Sequence, residues 1–160
     1  MRVQLDDPLA PDVRALLEEH LADMYATSPP ESVHALDPHT LAGPGMRFYT
    51  VRDHGVLLGC GALRTHSPHF GELKSMRTAA DARGRGVAST LLVALVDEAR
   101  ASGWTRLSLE TGVEDYFAPA RRLYERHGFI RCGPFADYTD DPNSVYYTLD
   151  LGANGSQAAR

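Results

Sequence analysis

Arg83-Gly84-Arg85-Gly86-Val87-Ala88 is the stretch on which the reading of this chain turns. It follows a strand-like run, Gly71 to Thr78, and opens a segment with apolar residues at Ala88, Leu91, Leu92, Leu95, Val96 and Ala99. Those steps of three and four are helical spacing. The first N–H groups of a helix have no partner within it, and the helix dipole favours negative charge there. Two glycines ahead of such an end therefore make a cradle for a pyrophosphate. Arg77, Arg83 and Arg85 add positive charge around the same point.

Three phosphate-binding patterns compete for these residues. A P-loop ends in Gly-Lys-Ser/Thr, and the only lysine here is Lys74, so that pattern is excluded. A dinucleotide fingerprint needs a third glycine where Ser89 stands. It also needs an acidic residue ending a partner strand about twenty residues on, and none is there. What remains is Arg-x-x-Gly-x-Ala between a strand and a helix.

The rest of the chain bounds the interpretation. Its 160 residues, 43% hydrophobic, suit a single globular domain over 1–151, with a small polar tail over 152–160 expected to be disordered. A net charge of −5 argues against a nucleic-acid binder, which needs a broad basic face. No apolar run approaches the roughly 20 residues that span a bilayer. Met1 to Asp7 lacks the apolar core of a signal peptide, so a cytoplasmic chain is expected. Cys60 and Cys132 read as free thiols in strands. His66 and His69 have no third partner at metal-ligand spacing, so no metal is expected.

The pattern predicts strand, helix, three strands, helix, strand, helix, two strands: a mixed α/β sheet. A first strand falls within Met1 to Asp6, and the first helix carries Val13, Leu16, Leu17, Leu21, Met24 and Tyr25. Met46 to Arg52 and Val56 to Leu63 flank a tight turn at Asp53-His54-Gly55. Trp104 to Glu110 is a strand, Asp115 to His127 a helix stopped by Gly128, and Phe129 to Cys132 and Ser144 to Leu151 closing strands. Thr27 to Gly45, with four prolines, is a long connection of the kind that often carries function.

Arg83 to Ala88 in this context resembles the acyl-CoA signature of the Gcn5-related N-acetyltransferases, the GNAT superfamily. Ala120-Arg121-Arg122-Leu123-Tyr124-Glu125-Arg126-His127-Gly128-Phe129 is similar to the second hallmark of that family, a helix ending in Leu-Tyr-Glu-x-x-Gly-Phe. The similarity covers roughly residues 46 to 151. Gly71 to Thr78, Leu107 to Gly112, Pro134 to Tyr138 and Asp141 to Ser144 resemble a bacterial subgroup labelled indole-3-acetic-acid acetyltransferases. In one respect the chain departs from the family: Phe117 stands where an asparagine often contacts the cofactor, so that contact is not carried over.

The resemblance implies a mostly antiparallel central sheet, splayed between two central strands and flanked by helices. It implies acetyl-CoA as co-substrate and direct transfer to a small-molecule amine in a ternary complex. A protein N-terminus or lysine is the alternative acceptor, and a non-catalytic CoA-binding sensor the alternative function. Backbone groups of Met76 and Thr78, beside Arg77, would pair with the pantetheine arm. The Met76 N–H would hold the developing oxyanion, worth about 2.7–4 kcal/mol for one such donor. Amides of Gly84, Arg85, Gly86, Val87 and Ala88, with Arg83 and Ser89 nearby, would hold the pyrophosphate. Tyr124 is the candidate general acid, with a structural tyrosine as the alternative. Glu72 is the first candidate base, unless Lys74 holds it as an ion pair, and Glu110 is the second. Strand alternation predicts Glu72, Lys74, Met76 and Thr78 on one face. Glu31 and His34, in the long connection, are candidate acceptor contacts. Exposed strand edges near the C-terminus suggest a homodimer.

Overall fold

The computed structural model describes residues 1–152, so the polar tail expected at 152–160 lies, from residue 153 on, outside the described residues. The hairpin predicted at Asp53-His54-Gly55 forms: β2 (Met46–Asp53) returns as β3 (Val56–Ser67). His54 and Gly55 both have positive φ, the two-residue turn that matches strand twist. With β1 (Arg2–Leu5), β4 (Phe70–Thr78), β5 (Arg106–Gly112), β6 (Ile130–Cys132) and β7 (Ser144–Asp150) they make one seven-stranded sheet. The strand order is β1-β2-β3-β4-β5-β7-β6. Every pairing is antiparallel except β4 with β5.

A parallel neighbour needs a crossover, and α3 (Val87–Ala101) supplies it. Its buried residues, Val87, Leu91, Leu92, Leu95, Val96 and Ala99, are the stripe read from the sequence plus the first residue of the helix. They pack with Leu58, Leu63, Leu73, Leu107 and Leu109 on one face of the sheet. Leu123, Tyr124 and Phe129 join that cluster, so α4 (Ala118–Arg126) lies on the same face. On the other face α1 (Pro11–Thr27) packs Val13, Leu16 and Leu17 against Phe48, Cys60 and Ala62, with Leu41 of the short α2 (Pro38–Leu41). Covered on both sides, β3 is continuously buried from Leu58 to Leu63.

Two expectations are modified. The connection Thr27 to Gly45 contains a 3-10 turn at Pro30–Ser32 and then α2, capped by the Asp37 side chain on the Thr40 N–H. The helix expected at Asp115 to His127 begins as a 3-10 turn, Asp115–Phe117, before α4 starts. Proline fits only the first turn of a helix, so Pro119 fixes that start. At the other end, Gly128 has φ +92, its N–H bonds to Glu125 O, and the Phe129 N–H bonds to Tyr124 O. This is a Schellman stop, and the Phe129 ring closes it against Tyr124 at 5.8 Å.

Candidate active site

The loop from Thr78 into α3 is the segment expected to cradle a pyrophosphate. Gly84 and Gly86 have φ of +77 and +78, a left-handed backbone that disfavours any side chain. A methyl group on either would meet no protein atom within 4 Å, so the loop faces open space. Gly86 is the N-cap of α3 and offers no side-chain cap, and the first turn carries no acidic residue. The amides of Val87, Ala88 and Ser89 therefore lack both helical acceptors and a competing carboxylate. That donor set fits a pyrophosphate.

The cradle opens into a cleft of about 670 Å³. Its origin lies in the sheet. β4 and β5 pair only over Phe70↔Arg106, Gly71↔Leu107 and Glu72↔Ser108, and then part. On its other side β4 carries a bulge: Cys60↔Arg77 and Ala62↔Lys74 leave one extra residue on β4, and Ser75 takes φ +57. The bulge breaks the predicted alternation. Glu72 and Lys74 face the α1 side, but beyond Ser75 the phase reverses. Met76 packs against the α3 core, where a side chain on Gly61 would meet its sulfur at 2.7 Å. Thr78, paired with Gly59 beneath Val87, shares that face, and Arg77 turns towards α1.

The two candidate carboxylates differ sharply. Glu72 is 1% exposed and fully engaged. Its Oε1 lies 2.8 Å from His66 Nε2, and its Oε2 accepts from Tyr138 Oη at 2.5 Å and from Lys74 Nζ at 3.2 Å. Lys74 Nζ also donates to Tyr138 Oη at 2.9 Å. The Lys74 ion pair raised as an alternative for Glu72 is thus present, within a larger network. Glu110 sits on β5 past the parting of the strands and lines the cleft. Its one side-chain donor among the described residues is Ser144 Oγ at 2.8 Å. Burial pushes its carboxyl up to about 7, opposed by the Ser144 hydrogen bond and Lys74 and reinforced by Glu72 and Asp141.

Tyr124 lines the cleft from α4 and is 6% exposed. Burial first, and then Glu110, raises its phenol and keeps it protonated at neutral pH. Cys60 also reaches the cleft, but burial pushes its thiol up to about 12, which disfavours a thiolate nucleophile. Both cysteines are free.

Arg77 does not serve the phosphate cradle with its side chain. Its guanidinium bonds to Glu19 and, at 2.8 Å, to Asp23 of α1, and to Tyr116 Oη at 2.8 Å. Arg85 faces Asp53 at 3.8 Å. Two segments close the α1 side of the cleft. Ser32 Oγ donates to Asp141 Oδ2 at 2.7 Å, and the His34 ring meets Tyr138 edge-on at 5.0 Å. Ser28 Oγ reaches Glu114 at 3.4 Å, and Tyr116 Oη donates to Asp23 at 3.1 Å. His34 lines the cleft with a buried, unpartnered Nε2, whereas Glu31 is exposed and does not line it.

Residues 13–129 match the acetyltransferase (GNAT) family. The chain belongs to that family. It is 47% identical over 151 residues to the uncharacterized N-acetyltransferase YsnE of Bacillus subtilis (strain 168), covering 94% of this chain and 100% of that protein. It is 42% identical over 150 residues to an IAA acetyltransferase of Azospirillum brasilense, covering 91% and 95%. A solved acyl-CoA N-acyltransferase from Klebsiella pneumoniae superposes with a TM-score of 0.77 at 28% identity, covering 94% and 97%. Family and relatives make the chain a GNAT N-acetyltransferase, and its mixed, splayed sheet is the GNAT fold.

In this GNAT enzyme one cleft gathers Tyr124, Glu72, Glu110, Met76, Arg77, Thr78, Arg83, Gly84, Gly86, Val87, Ala88, Ser89 and His34. Arg85 and Glu31 stay outside it. Sequence reasoning missed Tyr138, 66 residues from Glu72 and on a loop with no periodic pattern to place it. It also missed His20, which lines the cleft and is pushed down to about 4 by burial and by Arg77. Arg122 and Arg126 were missed as well. Their own spacing was the signal, since residues four apart on α4 share one helix flank. Among the described residues no helix is long and apolar enough to cross a membrane.

Proposed function

We propose that this enzyme transfers the acetyl group of acetyl-CoA directly to a small-molecule amine within a ternary complex. The observation that carries the reading is Glu110, a carboxyl held near pH 7 on the same cleft as Tyr124 and continuous with the amide cradle. The thioester supplies the activated acyl group. Amides of the loop into α3 hold the pyrophosphate, and the Met76 N–H, at the parted edge of β4, steadies charge on the carbonyl oxygen. Glu110 takes one proton from the acceptor's ammonium so that the free amine attacks. Tyr124 gives a proton to the departing sulfur and regains one from the acceptor nitrogen. The products are an amide, a thiol and one proton.

Glu110 rather than Glu72 is the base, because both Glu72 oxygens are already taken by Lys74, Tyr138 and His66. The bridges across the α1 side favour a small acceptor over a polypeptide, which would need an open groove. Thiol release from acetyl-CoA, measured against panels of small amines and of peptides, tests this. Turnover on small amines is expected. Turnover on peptides alone would overturn the acceptor class, and saturable acetyl-CoA binding without turnover on any acceptor would make the protein a sensor.

A further inference from the structure

The amide cradle accounts for a pyrophosphate, yet the cleft carries more positive charge than a pyrophosphate on backbone amides requires. Arg122 and Arg126 project from α4 into the cleft that Arg83 lines from the opposite wall. All three are exposed, whereas Tyr124 is buried and Glu110 half-buried. The guanidiniums therefore mark the mouth. Residues four apart lie on one helix flank, so Arg122 and Arg126 act together.

Their neighbours are otherwise committed. The ion-paired arginines among the described residues are Arg47, Arg52, Arg77, Arg85 and Arg100. Arg121 is spent on the carbonyls of Gly112 and Glu114, at 2.6 and 3.0 Å. The nearest acid on α4, Glu125, faces the other way and accepts from Tyr147 Oη at 2.6 Å. Complementing the helix dipole explains a last-turn arginine such as Arg126 but not Arg122. The distance to the cradle is fixed by Ser89 Oγ, 2.9 Å from Nε2 of His127, the residue after Arg126. The C-terminal half of α4 thus stands directly across from the start of α3.

We infer that Arg122 and Arg126, with Arg83 opposite, form a second anion site that holds the 3′-phosphate of CoA, so that the enzyme distinguishes CoA from 3′-dephospho-CoA. The chemistry suits a phosphomonoester: a dianion emerging at the mouth, met by planar donors able to bind it through two nitrogens each. The inference rests on the acetyl-CoA reading above, and its test separates the two.

Calorimetric titration of wild type and R122A/R126A with CoA and with 3′-dephospho-CoA decides it. R14A, which removes an exposed α1 arginine, controls for net charge, and thermal midpoints control for folding. Wild type should bind CoA at least about tenfold tighter than the dephospho form, the scale of one charge-assisted hydrogen bond. The double variant should lose most of that ratio by weakening CoA alone. A wild-type ratio near one, or a double variant that weakens both nucleotides alike, overturns the second site while leaving the cofactor reading intact. Failure of wild type to bind either nucleotide overturns the cofactor reading, and the second site with it.

Discussion

Replacing Glu110 by glutamine removes a carboxyl that the fold holds at about 7 rather than at the ordinary 4.5. Between those values the native state keeps a proton that the unfolded chain has lost. The stability from this group is fully present below pH 4.5 and is lost as pH rises through about 7. The span amounts to about 3 kcal/mol at most. Glutamine has nothing to ionise, and its carbonyl oxygen can still accept from Ser144 Oγ. E110Q should therefore match wild type in urea denaturation near pH 4.5, exceed it increasingly up to about pH 7, and keep a level advantage from about pH 8 to pH 9. Comparing the two proteins at each pH cancels every other titrating group. In turnover the sign is opposite. Wild-type kcat/KM should rise with pH through about 7 as Glu110 ionises, whereas E110Q should fall by about 10²–10⁴ and lose that rise. A variant that kept the inflection near pH 7, or a stability gap that did not widen between pH 5 and pH 9, would refute the argument.

Tyr124→Phe should lower kcat far more than it weakens acetyl-CoA binding, read by steady-state kinetics beside direct titration; unchanged kcat would remove Tyr124 from the chemistry. Glu72→Ala strands the Lys74 ammonium, 8% exposed, without its counter-charge and should cost about 3–5 kcal/mol in urea denaturation. Glu72→Gln keeps acceptors for Lys74 and Tyr138, so its turnover should stay within about tenfold of wild type, well short of the loss a missing base brings. A larger loss in a stable E72Q would return the base role to Glu72. Gly86→Glu puts a side chain on a φ of +78, costing about 1–2 kcal/mol, and a carboxylate in the cradle. It should abolish CoA binding in titration calorimetry, and retained affinity would displace the pyrophosphate from this loop.

The parts of the fold that were legible in the sequence are those specified within one element. The α3 stripe, the His54-Gly55 hairpin and the Gly128-Phe129 stop each rest on residues a few positions apart, where periodicity and backbone preference act directly. The site was legible to the same extent. The glycine loop into α3 is local and was placed from the sequence, whereas Tyr138 reaches Glu72 only because β7 returns beside β5 and carries the loop ahead of it over the cleft. Arg77 illustrates the opposite failure. Its place beside the cradle in sequence suggested a phosphate contact, but its side chain leaves on the α1 face, where Glu19 and Asp23 neutralise it.

One inserted residue underlies the proposed exchange of roles between the two carboxylates. Alternation along β4 had placed Glu72, Lys74, Met76 and Thr78 together, with Glu72 as base beside the Met76 amide. The bulge at Ser75 turns Met76 into the α3 core and leaves Glu72 and Lys74 on the α1 face, where they bond to each other and to Tyr138. Pairing with β5 stops at Glu72, so the next position facing the gap belongs to β5, and that residue is Glu110. A carboxylate that is 1% exposed and already bonded to a lysine, a phenol and a histidine is shielded from a substrate's proton. One held by a single serine, in a buried wall that lifts it to about 7, can take that proton at neutral pH.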